Sequence, residues 1–251
     1  MFVLLHGYLG SKEIWNKTIE NLSRSYRVIA IDLPGHGETP CFGYVHSMEL
    51  MAEMVKKVLD QLRLKKYIMA GHSMGGYVAL AFAEKYPDVL KGLCLFHSTS
   101  YPDSVEKKLD RERAIKLIKS NKKVYTKATI INLFAAKNLK YLKEEIQFAT
   151  NIALSTSKQG AIAALEGMKD RPNRDIILGM LDYPVLMIIG EHDNVLPYKT
   201  LLEQSETLRN KHVLFLEHDG HMGFLESPIL FNKTLRQFIR RCYHPKKIKT
   251  I

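Results

Sequence analysis

The feature that most constrains this chain is a short apolar run, Lys66-Tyr67-Ile68-Met69-Ala70, that leads into Gly71-His72-Ser73-Met74-Gly75-Gly76 and then into Tyr77-Val78-Ala79-Leu80-Ala81-Phe82-Ala83-Glu84-Lys85-Tyr86. The first run suits a buried parallel strand, and the last is rich in helix formers and stops at Pro87, which cannot continue a helix. Between them, a serine with glycine two residues away on each side fits the apex of a strand-to-helix turn, because a sharp turn needs neighbours without bulk. A serine at that apex exposes its hydroxyl, as a nucleophile must. Strand, turn and helix together predict a nucleophile elbow at Ser73.

A serine hydroxyl is a weak nucleophile near neutral pH, so it needs a histidine to take its proton and a carboxylate to orient that histidine. Tyr183-Pro184-Val185-Leu186-Met187-Ile188-Ile189-Gly190 reads as another buried strand, followed by Glu191-His192-Asp193, which places Asp193 at a strand's carboxyl end. One strand later, His212-Val213-Leu214-Phe215-Leu216-Glu217 leads into His218-Asp219-Gly220-His221, with His221 in a glycine-flanked loop at the same end of the sheet. Asp219 and Asp103 are weaker candidates for the acid, since Asp193 has the better strand-end position. His6, His36 and His72 are expected to pin loops or pack beside the elbow. His97, Ser98, Tyr77 and Val195 are expected to line a pocket by their place in the topology.

With the order Ser73, Asp193, His221, the chain resembles the α/β-hydrolase superfamily, whose triad runs in that order on loops after successive strands. The resemblance includes His6-Gly7-Tyr8 after the first apolar run and Asp32-Leu33-Pro34-Gly35-His36-Gly37 after the second. It implies an α/β fold with a mostly parallel sheet flanked by helices. It also implies an oxyanion hole made by the backbone N–H groups of Met74 and Tyr8, and a reaction with water that needs no metal or organic cofactor.

Strand-like and helical patterns alternate along the chain: an apolar run at 1–5, helical patterns at 14–22 and 47–62, strands at 26–31 and 90–96, then strands at 184–189 and 212–217 and helical patterns at 198–209 and 224–242. The second helix is marked by Leu50, Met54, Val58 and Leu62 at helical spacing. Residues 100–175 break the alternation with helical segments at 104–119, 121–135, 137–154 and 158–169. The expected organisation is a hydrolase core of residues 1–99 and 176–251 with an inserted helical cap over 100–175, the cap being what the resemblance implies for such an insertion. The amino-terminal hairpin common in the superfamily is expected to be absent, leaving about six strands.

Composition narrows the function classes. The chain has 251 residues, 46% of them hydrophobic, enough for one domain with a substantial core. Cys41, Cys94 and Cys242 are odd in number and far apart, which argues against a disulfide framework, and no metal-binding spacing is present. The opening Met1-Phe2-Val3-Leu4-Leu5 is too short for a signal peptide's apolar region, and no run is long enough to cross a bilayer, so a cytoplasmic protein without membrane insertion is expected. The net charge of +11 raises the possibility of an anionic partner. Lysines and arginines spread through residues 98–175 without a dense block or interleaved aromatics, so a solvated basic surface is expected, with no nucleic-acid binding. The segment Pro245-Lys246-Lys247-Ile248-Lys249 reads as a frayed, charged terminus.

The simplest chemistry is hydrolysis of a small-molecule acyl substrate, a carboxylic ester or a related acyl compound such as a lactone, through an acyl-enzyme. A serine at position 73 argues against the branches of the superfamily that use aspartate there. Two alternatives remain: a carbon-carbon bond hydrolase or the menaquinone-pathway lyase that eliminates pyruvate, and a ligand receptor with slow or no turnover. Leu5-His6-Gly7-Tyr8-Leu9-Gly10-Ser11 with Trp15 resembles that lyase, but the lyase usually has tyrosine before the nucleophile and arginine after the paired glycines, where this chain has His72 and Tyr77. Oligomeric state has no signature in the sequence.

Overall fold

The computed structural model describes residues 1–244, so the basic segment from 245 onward lies outside the described residues. Six strands form one sheet: β1 (Phe2–Leu5), β2 (Val28–Ile31), β3 (Tyr67–His72), β4 (Leu90–Phe96), β5 (Val185–Gly190) and β6 (Lys211–Leu216). Their spatial order is β2-β1-β3-β4-β5-β6 and every pairing is parallel. Because all strands run the same way, all their carboxyl ends emerge on one edge. The order reverses between β1 and β3, and in open parallel sheets the crevice outside such a switch point is where ligands bind.

The helices are α1 (Asn16–Ser23), α2 (Met48–Gln61), α3 (Met74–Lys85), α4 (Val105–Asn132), α5 (Lys143–Ser155), α6 (Lys158–Lys169), α7 (Asp175–Met180), α8 (Tyr198–Ser205), α9 (Gly223–Glu226) and α10 (Pro228–Tyr243). Helix α3 is buried from Met74 through Ala83, which explains why its sequence is apolar on every face. In α2 the buried stripe is Met48, Met51, Val55 and Leu59, whereas Leu50, Val58 and Leu62 are each more than a third exposed. The helical period read from the sequence is therefore present, but the residues that marked it face outward. Val58 and Leu62, with Met54, flank a groove along edge strand β2. The helical pattern read over 224–242 is two helices. Pro228 starts α10, and the residue before a proline is pushed out of the helical region, here Ser227 at φ −129°, ψ 57°.

Residues 100–175 supply helices and no strand. The gap anticipated near residue 120 is a break inside α4, where Asn121 has φ −148°, ψ 83° and its Oδ1 accepts from the N–H of Val124 at 3.1 Å, capping the second half. Helix α4 packs against α5 and α6. Helix α6 in turn meets the loops after β2 almost backbone to backbone. The N–H of His46 donates to the carbonyl of Ala163 at 2.9 Å, and a Cβ on Gly167 would lie 1.7 Å from the His46 carbonyl oxygen. No helix among the described residues is long and apolar enough to cross a membrane.

Candidate active site

Ser73 sits between β3 and α3 with φ 50° and ψ −115°, a left-handed backbone that a non-glycine residue adopts at a cost of about 1–3 kcal/mol. The surrounding structure enforces it. The Ser73 N–H donates to the Phe96 carbonyl at 2.9 Å, and the Ser98 hydroxyl donates to the Ser73 carbonyl at 2.9 Å. A Cβ on Gly71 would lie 2.1 Å from the Gly75 carbonyl oxygen, and one on Gly75 would lie 2.5 Å from the Leu5 carbonyl oxygen. Both glycines are thus required by close approach of backbones and not by their own dihedral angles.

His221 and Ser73 line the same cavity, of about 190 Å³, together with Tyr8, Tyr77 and Val195. His221 Nδ1 is 2.7 Å from Asp193 Oδ2. The loop that carries His221 is held from two sides: its N–H donates to the Leu133 carbonyl at 2.7 Å, and Glu226 Oε1 accepts from the Gly220 N–H at 2.8 Å. Asp193 is buried, and its Oδ1 accepts from the N–H groups of Val195 and Leu196 at 2.7 and 3.0 Å. Burial alone would raise this carboxyl, but His221 and His97 outweigh it and hold the group well below the usual carboxylate range.

His97 is the contact that sequence reasoning missed. It is fully buried behind Asp193 and does not line the cavity; neither does Ser98, whose hydroxyl supports the elbow backbone. His97 Nε2 accepts from the Gly223 N–H at 3.2 Å, which leaves the proton on Nδ1, and Nδ1 lies 3.6 Å from Asp193 Oδ2. The donor atoms of His97, Asp193 and His221 lie within 4.8 Å of one another. With its proton on Nδ1, His97 turns a polar N–H toward the Asp193 carboxylate at a distance beyond hydrogen-bond length, an electrostatic contact and not a metal-ligating one. The only sequence signal was the position of His97 at the end of β4.

The remaining candidates fall elsewhere. Asp103 is taken up by Arg111 and Arg171, and Asp219 accepts from the Ser227 hydroxyl at 2.9 Å; neither contacts His221. His6 Nε2 accepts from the Leu33 N–H at 2.9 Å, joining the loops after β1 and β2. Burial pushes His6 down to about 4 and His36 down to about 3, and burial with neighbouring His221 and His97 takes His72 well below its ordinary value. These three rings are neutral at pH 7. Tyr8 lines the cavity with Ser73, and Met74 follows Ser73 directly. Met74 is the first residue of α3, so its N–H has no preceding helical turn to donate to.

Residues 1–228 match the model of a family described as the alpha/beta hydrolase fold, and the chain belongs to that family. A protein of Bacillus subtilis (strain 168), provisionally named 2-succinyl-6-hydroxy-2,4-cyclohexadiene-1-carboxylate synthase, is 30% identical over 247 residues, covering 94% of this chain and 89% of its own. A pimeloyl-(acyl-carrier protein) methyl ester esterase of Neisseria meningitidis serogroup A is 25% identical over 242 residues, covering 94% of this chain and 75% of its own. Among solved structures, a malate-bound thermophilic esterase from Thermogutta terrifontis superposes with a TM-score of 0.92 at 30% identity, covering 96% of this chain and 89% of that one.

Proposed function

We propose that this protein is a serine hydrolase that cleaves a small carboxylic ester through an acyl-enzyme. The observation that carries this reading is Ser73 on a left-handed elbow, facing the same cavity as His221, whose Nδ1 is held 2.7 Å from buried Asp193. Ser73 Oγ attacks the ester carbonyl while His221 Nε2 takes its proton, and Asp193 keeps the ring oriented and stabilises the imidazolium. The oxyanion receives the N–H groups of Met74 and Tyr8, donors that are fixed before the charge develops. Collapse expels the alcohol, which takes the proton from His221, and water then releases the acid by the same steps. Helices α4 to α6 act as a cap over this centre. A cavity of about 190 Å³ suits a small acyl group.

The test is labelling with a fluorophosphonate, with turnover of p-nitrophenyl butyrate alongside. Wild-type protein is expected to be labelled at Ser73 and to turn over the ester. Ser73→Ala is expected to lose the label and about 10⁴-fold or more in kcat. Labelling that persists in Ser73→Ala overturns the assignment. A second reading, elimination of pyruvate, is favoured by the name of the Bacillus subtilis relative. Rapid pyruvate release from that enzyme's substrate, with poor ester turnover, would put it first.

A further inference from the structure

The helical segment brings to the Ser73 cavity a positive charge that its neighbours do not neutralise. Arg111, on the first half of α4, lines the cavity and grips Asp103 through Nε and Nη2, the latter 3.1 Å from Oδ1. Arg171 Nη1 donates to the same Oδ1 at 2.6 Å. Two guanidiniums, both charged at any working pH, thus share one carboxylate, and the buried set keeps one net positive charge.

No other group in the cavity wall cancels that charge. Asp110 is half exposed and accepts from Arg113 at 2.9 Å. The phenol of Tyr8 is pushed well above its ordinary value, by burial first and by Tyr125 second, so it is neutral. Lys107, one helical turn before Arg111, adds a second cation that donates to the Val195 carbonyl at 3.5 Å. Donors are also left over: Arg111 Nη1 reaches the Met168 thioether at 3.5 Å, a weak acceptor, and the buried Tyr8 hydroxyl has no partner.

We propose that this cavity contains a carboxylate subsite formed by Arg111, Tyr8 and Lys107, and that the substrate is a short ester bearing a free carboxylate on its acyl or its alcohol part. For turnover this rests on the serine-hydrolase reading; for binding it does not. An aligned guanidinium in a low-dielectric wall favours an anion strongly over an uncharged group of the same shape.

The experiment has a kinetic arm and a binding arm. In the first, monomethyl glutarate is compared with dimethyl glutarate, and acetoxyacetate with its methyl ester, so that the charge sits on the acyl side in one pair and on the alcohol side in the other. Wild-type kcat/KM is expected to favour the charged member of at least one pair by about 10-fold or more. That ratio should fall about 10- to 100-fold in Arg111→Gln, recover in part in Arg111→Lys, and fall about 3-fold in Lys107→Gln. In the second arm, glutarate is titrated by calorimetry into Ser73→Ala protein, and its affinity is expected to drop at least about 10-fold when Arg111→Gln is added.

Preference for the uncharged ester in both pairs, or unchanged ratios in folded Arg111→Gln, overturns the subsite, as does no glutarate binding at about 10 mM. If Arg111→Gln does not fold, the decision passes to Lys107→Gln, since Lys107 forms no ion pair among the described residues. Loss of all ester turnover with glutarate binding retained would instead overturn the serine-hydrolase reading and leave the subsite standing.

Discussion

The two walls of the Ser73 cavity are built by different means. The wall at the carboxyl edge of the sheet is held by hydrogen bonds to nearby backbone: Asp193 takes the N–H groups two and three residues on, and the elbow is locked by Phe96 and Ser98 from the adjacent strand. The wall from residues 100–175 adds, to the backbone contact of α6 with the His46 loop, ties between side chains far apart in sequence. Arg171 meets Asp103 across 68 residues, and Arg174 donates to Glu84 at 2.9 Å across 90. A centre fixed through backbone groups is rigid and tolerates little change, while ties between long side chains can be re-aimed one pair at a time.

That contrast can be broken most directly at the rigid wall. Asp193→Asn removes the charge that faces His221 Nδ1, and on the serine-hydrolase proposal kcat for p-nitrophenyl butyrate is expected to fall about 10⁴-fold with little change in Tm. A loss below about 10-fold would mean that another group orients His221. Gly75→Ala drives a Cβ against the Leu5 carbonyl oxygen and should cost about 3 kcal/mol in urea denaturation, with activity lost. Gly167→Ala, at the contact between α6 and the His46 loop, is the matched change in the other wall. It should destabilise comparably but leave fluorophosphonate labelling of Ser73 detectable, because only the helical segment is displaced. Equal loss of labelling in both variants would erase the distinction.

His97→Asn is a finer test. Asparagine tolerates the left-handed conformation at this position, φ 47°, but cannot reproduce the second imidazole facing Asp193. We expect kcat to fall about 10-fold with KM unchanged, the pattern of a positioning residue. An unchanged kcat would make His97 a packing residue. The smallest effect concerns pH. His6, His36 and His72 have folded-state values lowered by burial, so the unfolded chain binds the extra protons below about 6.5. Stability is therefore full only about one pH unit or more above that value and declines as the pH falls through it, by about 1 kcal/mol from about pH 7.5 to 6.5 for the three together. A urea midpoint that does not move over this range would contradict the neutral, buried state of these rings.

The same contrast explains what the sequence made legible. Strand, turn and helix around Ser73 are adjacent in the chain, so residue types alone mark the elbow, and Asp193 and His221 follow from their places after apolar runs. The contacts of His97 were invisible because Asp193 and Gly223, which it faces, are distant in sequence. Arg111 was one basic residue among 16 in residues 98–175, where nothing local distinguishes a buried guanidinium from solvated neighbours. The outward face of α2 misled for a related reason: both of its faces carry apolar residues, and only packing in the folded chain, where α2 meets α3, selects Met51, Val55 and Leu59.

The break in α4 at Asn121 puts Arg111 and Ala114 on one rod and Tyr125 and Thr129 on another, and both rods reach the cavity. An unbroken helix of 28 residues would run about 42 Å straight past it. With the joint in place, the girth of the chamber depends on the angle between the rods as well as on the side chains that line it. A substitution at the joint would then change which substrates fit while every lining residue stayed the same, and selectivity would shift at a position that the substrate never meets.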